Sequence, residues 1–170
     1  MLGAITVTKS SIETIVNSIA SKYNVEPALI KAIIKSESNW NPNAYRSEPH
    51  IGDASWGLMQ VLLKTAREVS KNPSLTASEL LKPEINIDVG TRYIAKQLVR
   101  YSGNMKSAIS AYNAGTANKN LLGKYTNQAY VDKVYTAYKM YSALSIQNAI
   151  PVVAVGTIGA VMLISYMKRG

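Results

Sequence analysis

Glu37 closes an apolar helical run, P-A-L-I-K-A-I-I-K-S-E-S, where E-S-N-W-N-P turns the chain into a Trp-containing stretch. A carboxyl group held against apolar side chains loses solvation, so its pKa rises and it can deliver a proton near neutral pH. Three further segments carry side chains suited to holding a ligand beside such an acid. In G-L-M-Q, residues 57–60, Gly57 permits close backbone approach, Met59 is an adaptable apolar packing group, and Gln60 offers both a donor and an acceptor. In A-Y-N-A-G, residues 111–115, the Tyr112 hydroxyl is a candidate partner for Glu37, and Asn113 can hold an amide or a hydroxyl. Q-A-Y-V, residues 128–131, adds Tyr130. Taken singly, each is a weak signal, because a glutamate at a helix end is usually solvated and a Met or Tyr at helical spacing usually belongs to a core.

The elements that must position these residues read as helices. S-S-I-E predicts a capping box between Ser10 and Glu13, followed by a face of Ile12, Ile15, Val16 and Ile19. Pro27 suits the first turn of a second helix whose apolar positions are Leu29, Ile30, Ile33 and Ile34. Residues 39–56, with Asn, Pro, Gly and two tryptophans, break the periodicity and predict a long loop. Helices are expected near 60–70, 76–82, 86–103, 105–115 and 126–144, with a polar loop at 116–124. No repeat and no run of strands is visible, so the fold class is mainly α.

Composition limits the chemistry. The chain of 170 residues has no cysteine and one histidine, His50, which excludes disulfides, thiolate sites and His-rich metal clusters. Neither a metal nor a cofactor is expected. The formal charge is +9, and 17 − 10 = +7 remains on residues 1–147 without Lys168 and Arg169. A polyanionic partner is implied, but the basic residues are scattered singly, which argues against nucleic acid.

In their order and spacing, Glu37-Ser38, Gly57 to Gln60, the N-I-x-x-G-x-x-Y stretch from Asn86 to Tyr93, Ala111 to Gly115, and Tyr130-Val131 closely resemble the catalytic domain of the soluble lytic transglycosylase family. The likeness spans roughly residues 10–141. It implies a lysozyme-like helical fold with a groove for alternating N-acetylglucosamine (GlcNAc) and N-acetylmuramic acid (MurNAc), the glycan strands of peptidoglycan. Glu37 matches the family's one essential acid. Ser38, Met59, Gln60, Tyr112, Asn113 and Tyr130 match positions that line the groove or hold the glutamate, and Ser47 matches a serine upstream of G-L-M-Q. The stretch from Trp40 to Gly57 is a few residues longer than in the family's shorter versions. The implied reaction is cleavage after MurNAc with formation of 1,6-anhydroMurNAc ends. Two other readings stand beside it. Glu48 or Asp53 would orient a water for hydrolysis, as acidic residues do in goose-type lysozymes, or the domain would bind glycan without cleaving it.

Residues 149–167, AIPVVAVGTIGAVMLISYM, form an uncharged apolar stretch of 19 residues followed by Lys168 and Arg169. At about 1.5 Å per residue this is just long enough to cross a bilayer core of about 30 Å. The expected organisation is a transglycosylase domain over residues 1–145 and a C-terminal membrane anchor over 146–170. MLGAITVT lacks the basic start and apolar length of a secretion signal. A transglycosylase domain with a C-terminal membrane segment is similar to enzymes of tailless phages that enclose a membrane. The likeness implies a membrane-anchored protein of a virion's internal membrane, or of the bacterial envelope, where other virion or envelope proteins are candidate partners.

Overall fold

The computed structural model describes residues 8–149. The predicted membrane segment and the start of the chain therefore lie outside the described residues, among which no helix is long and apolar enough to cross a membrane.

Seven α-helices and one small sheet make up the described chain: α1 (Lys9–Tyr23), α2 (Pro27–Glu37), β1 (Tyr45–Glu48), β2 (Asp53–Trp56), β3 (Val61–Leu62), α3 (Leu63–Ser70), α4 (Ala77–Leu80), α5 (Pro83–Arg100), α6 (Met105–Ala114) and α7 (Gln128–Ala149). The mainly helical expectation holds. α2 is the axis of the core. Pro27 starts it without wasting an N–H, and Leu29, Ile30, Ile33 and Ile34 are all fully buried. Burial of each contributes about 1.5–3 kcal/mol. α7 packs along α2, while α1 and α6 flank α5.

Three local readings change. α1 opens two residues early. Thr8 is its N-cap, accepting from the Ser11 N–H at 3.1 Å while the Ser11 hydroxyl receives the Thr8 N–H at 3.0 Å. The predicted Ser10–Glu13 box does not form; Glu13 instead lies 3.8 Å from Lys9. The segment read as a loop over 39–56 contains β1 and β2, an antiparallel pair registered Tyr45 to Trp56 and Glu48 to Asp53, with β3 added beyond β2. Gly52, at φ 63°, turns the chain between the two strands. Finally, α7, expected over 126–144, extends to Ala149.

Candidate active site

α2 ends abruptly after Glu37. Asn39 and Trp40 both take left-handed φ values, 51° and 70°, which cost a residue with a Cβ about 1–2 kcal/mol each. The turn is held from several sides. The Ser38 hydroxyl lies 3.1 Å from the Ile34 carbonyl and 2.8 Å from the Leu58 carbonyl, and the Lys35 ammonium bonds the Asn39 side chain. The Trp40 indole donates to the Tyr141 hydroxyl at 3.2 Å. This strained stop leaves Glu37 on the last turn of a buried helix, partly buried and facing a groove of about 470 Å³.

Desolvation pushes the Glu37 carboxyl above the ordinary carboxylate range, against the hydrogen bond from Tyr130 and the charges of Arg46 and Lys133. The carbonyl-rich end of α2 also disfavours a negative charge there. Lys133 offsets part of that by donating to the Ser36 carbonyl at 2.6 Å. The Tyr130 hydroxyl donates to Glu37 Oε1 at 2.6 Å. Burial, then the neighbouring Glu37, hold the phenols of Tyr130 and Tyr112 well above the usual tyrosine range, so both remain donors. Desolvation thus favours the protonated carboxyl, and its anion is met by a fixed donor once the proton has gone.

Tyr130, not Tyr112, takes the role read from sequence for Tyr112. Tyr130, carried by α7 against α2, is the partner of Glu37. Tyr112 is buried, and its hydroxyl donates to the Met59 carbonyl at 2.8 Å. Tyr112 still lines the groove with its ring, 5.4 Å from Tyr93. Met59 is fully buried and does not line the groove, so the expected contact with a ligand gives way to a core role. Ser38 braces the G-L-M-Q turn through Leu58 and also stays out of the lining. Ser47 is also outside the lining. Side chains alternate along a strand, and its neighbours Arg46 and Glu48 line the groove, so Ser47 projects from the other face.

Gln60 and Asn113 do line it, with reduced valence. Gln60 sits at φ 46° and donates through Nε2 to the carbonyls of Ala44 (3.1 Å) and Gly57 (3.0 Å). Only its Oε1 is left for a ligand, not the donor and acceptor expected. Asn113 Oδ1 receives the Asn127 amide at 2.9 Å, leaving its Nδ2 as the groove donor.

The sheet and the turn that joins β1 to β2 supply Arg46, Glu48, His50 and Ser55 to the groove. Glu48 is paired with Arg46 at 2.6 Å and lies 3.4 Å from the Ser55 hydroxyl. Asp53 is not in the groove. Its carboxylate accepts from the Ala54 N–H at 2.7 Å and the Lys64 N–H at 3.1 Å, tying β2 to the first turn of α3. Among the described residues, no three His, Cys, Asp or Glu side chains gather to hold a metal.

The residue missed as an organiser is Asn86. Fully buried, it accepts from the Met59 N–H and donates to the carbonyls of Trp56 and Leu80, each at 2.8 Å. A Cβ on Gly57, whose φ is 71°, would lie 2.5 Å from the Asn86 amide. One turn on, a Cβ on Gly90 would lie 2.5 Å from Met59 Sδ. The signal was present in N-I-x-x-G-x-x-Y. Positions i, i+4 and i+7 share a helical face, so Asn86, Gly90 and Tyr93 of α5 together underlie the G-L-M-Q turn and the groove.

A family model described as the transglycosylase SLT domain matches residues 14–135. Membrane-bound lytic murein transglycosylase C of Yersinia enterocolitica is 36% identical over 116 residues, covering 61% of this chain and 31% of the relative. Its namesake in Serratia proteamaculans is 36% identical over 115 residues, with the same shares. The chain thus spans about a third of the length of these curated relatives. Among solved structures, lytic transglycosylase Slt of Pseudomonas aeruginosa, an inactive mutant, superposes with a TM-score of 0.66 at 24% identity, over 78% of this chain and 24% of that one. The 70 kDa soluble lytic transglycosylase of Escherichia coli gives 0.64 at 25% identity, with the same coverage. These likenesses show the mainly helical, lysozyme-like transglycosylase fold. Since the family match takes in both the helix bearing Glu37 and the segment bearing Tyr130, the chain belongs to the transglycosylase SLT domain family.

Proposed function

We propose that this chain is a peptidoglycan lytic transglycosylase that cleaves the β-1,4 bond between MurNAc and GlcNAc, with Glu37 as its only acid and base. The observation that carries the reading is Glu37 itself, desolvated at the groove wall and bonded at 2.6 Å by a tyrosine that stays protonated. In the first step the Glu37 carboxyl protonates the glycosidic oxygen, the bond from MurNAc C1 breaks, and the sugar's own N-acetyl oxygen bonds C1. The Glu37 carboxylate then takes the proton of the C6 hydroxyl as that oxygen closes on C1 and displaces the N-acetyl oxygen. The product is a 1,6-anhydroMurNAc end, and no water is consumed. One residue acting first as acid and then as base follows from microscopic reversibility. Tyr130 supports the second half by stabilising the carboxylate. The free acceptor of Gln60 and the free donor of Asn113 suit the N–H and C=O of acetamido groups.

Mass spectrometry of products from purified peptidoglycan tests this. Anhydro ends weigh one water less than hydrolytic ends, and a purely hydrolytic product set would refute the proposal. One observation favours hydrolysis as a second reading, namely that Glu48 lines the same groove. Its pairing with Arg46 argues against a free base, and Glu48→Gln would abolish cleavage only if hydrolysis were the route. A non-catalytic glycan binder would leave sacculi intact even as wild type.

The proposal extends to location. The apolar stretch 149–167 would tether the domain to a membrane, either inside a phage particle, for local wall opening during infection, or in the bacterial envelope. The two relatives above are named membrane-bound, which supports an envelope setting. Absence of the protein from purified particles would remove the phage alternative.

A further inference from the structure

Beyond α6 the chain forms a tight hairpin with no role in the groove. Lys119 bridges Tyr125, and the Asn120 N–H donates to the Lys124 carbonyl at 2.8 Å. Asn120 Oδ1 accepts from the N–H groups of Leu122 and Lys124, both at 3.0 Å, and Gly123 turns the chain at φ 74°. The base is fastened by Arg100 to the Gly115 carbonyl, by the Ala117 N–H to the Tyr101 hydroxyl, and by Tyr125 to Ser107, each at 2.9 Å. On this built scaffold the two tip residues are Leu121 and Leu122, 106% and 82% exposed.

Turn tips are normally polar, and two adjacent leucines held out in water gain nothing for the fold. Their surroundings are basic. Lys119 and Lys124 flank them, and from Val89 to Val131 the sequence has no Asp or Glu against six bases, Arg92, Lys96, Arg100, Lys106, Lys119 and Lys124. An anionic polymer would engage the lysines and leave the leucines in water. An anionic bilayer satisfies both. We propose that the 119–125 hairpin dips into a membrane surface, with Leu121 and Leu122 in the acyl boundary and Lys119 and Lys124 at anionic phospholipid headgroups. The rim segment Asn113–Gly115 leads directly into this hairpin, so the contact would hold the groove close to the bilayer. The inference is independent of the chemistry assigned to Glu37.

The cysteine-free sequence makes the test local. Full chain carrying Leu122→Cys, or Ser78→Cys on exposed α4 as control, is labelled with a nitroxide. Each is reconstituted on vesicles of phosphatidylglycerol with phosphatidylcholine, and on phosphatidylcholine alone. On anionic vesicles the label at 122 should become shielded from an aqueous nickel chelate and exposed to membrane-dissolved oxygen, while the label at 78 stays aqueous. Lys119→Gln with Lys124→Gln should lower the equilibrium constant for immersion about thirtyfold, as expected for two charges at an anionic surface. An aqueous label at 122 on anionic vesicles would overturn the proposal, as would equal immersion on neutral ones. Shielding by purified sacculi and not by vesicles would overturn it in favour of a wall polymer.

Discussion

Asn86→Ala should cost far more stability than an exposed asparagine would. The side chain is fully buried, and each of its three hydrogen bonds is 2.8 Å long. Truncation strands the Met59 N–H and weakens two carbonyl contacts at a site closed to water. At about 1–3 kcal/mol per stranded group, with partial relaxation, the loss should be about 3–5 kcal/mol. That is about a fifth or more of an ordinary domain's stability of about 5–15 kcal/mol. It corresponds to a fall in Tm of about 10 °C for a chain of this size. Urea unfolding followed by the fluorescence of Trp40 and Trp56 measures it. Asn86→Asp separates hydrogen bonding from volume, because it keeps the shape and the acceptor for Met59 yet sets an oxygen against the carbonyls of Trp56 and Leu80. It should lose a comparable amount, increasingly so as pH rises and the aspartate ionises. A loss below about 1 kcal/mol in either variant would mean that the amide is not what holds the G-L-M-Q turn.

Glu37→Gln should abolish lysis of purified sacculi yet raise thermal stability at neutral pH. The folded-state pKa of Glu37 is raised, so its protonated form favours the fold below the unfolded pKa, and that contribution disappears as pH rises through the folded value. Melting curves should therefore converge in acid and separate towards neutrality; parallel curves would contradict the desolvated acid. Tyr130→Phe removes a donor that favours the carboxylate, so the alkaline limb of kcat/KM should move to higher pH. Activity should fall about tenfold or more, the scale of one hydrogen bond to a charged group, and an unmoved limb would detach Tyr130 from the acid. Gly90→Ala should cost about 1–2 kcal/mol, since overpacking against Met59 outweighs the gain in helix propensity. In a Met59→Ala background the same change should cost less, and strict additivity in the double-mutant cycle would exclude the contact.

The helices were legible because their apolar positions recur at the helical period and their ends are chemically marked, by Pro27 at a start and Gly115 at a stop. The sheet was not. In β1, Tyr45, Arg46 and Ser47 are all exposed, so no alternation of apolar and polar residues advertises a strand. Pairing with β2 across the Gly52 turn defines it instead, and Tyr45 finds its partner only in Trp56, 4.7 Å away between ring centres. The α1 cap was misread because a serine three residues beyond Thr8 performs the reciprocal bond usually sought from a glutamate. In the site, motif order located Glu37 and its neighbourhood but could not say which tyrosine reaches it. That depends on α7 lying against α2, a contact between residues 93 positions apart. Ser47 failed for a simpler reason, since strand parity decides which side chains see the groove.

Internal bonding uses both donors of Gln60 and leaves its acceptor, whereas the Asn113 amide keeps its donors. Under the proposed function the two would together read the polarity of a ligand. A secondary amide satisfies both, whereas a free amine at the same carbon supplies hydrogens but no oxygen, and as an ammonium it brings charge towards Arg46. Under the proposed function, a wall that removes acetyl groups from its glucosamine should therefore resist cleavage without any change to the bond being cut.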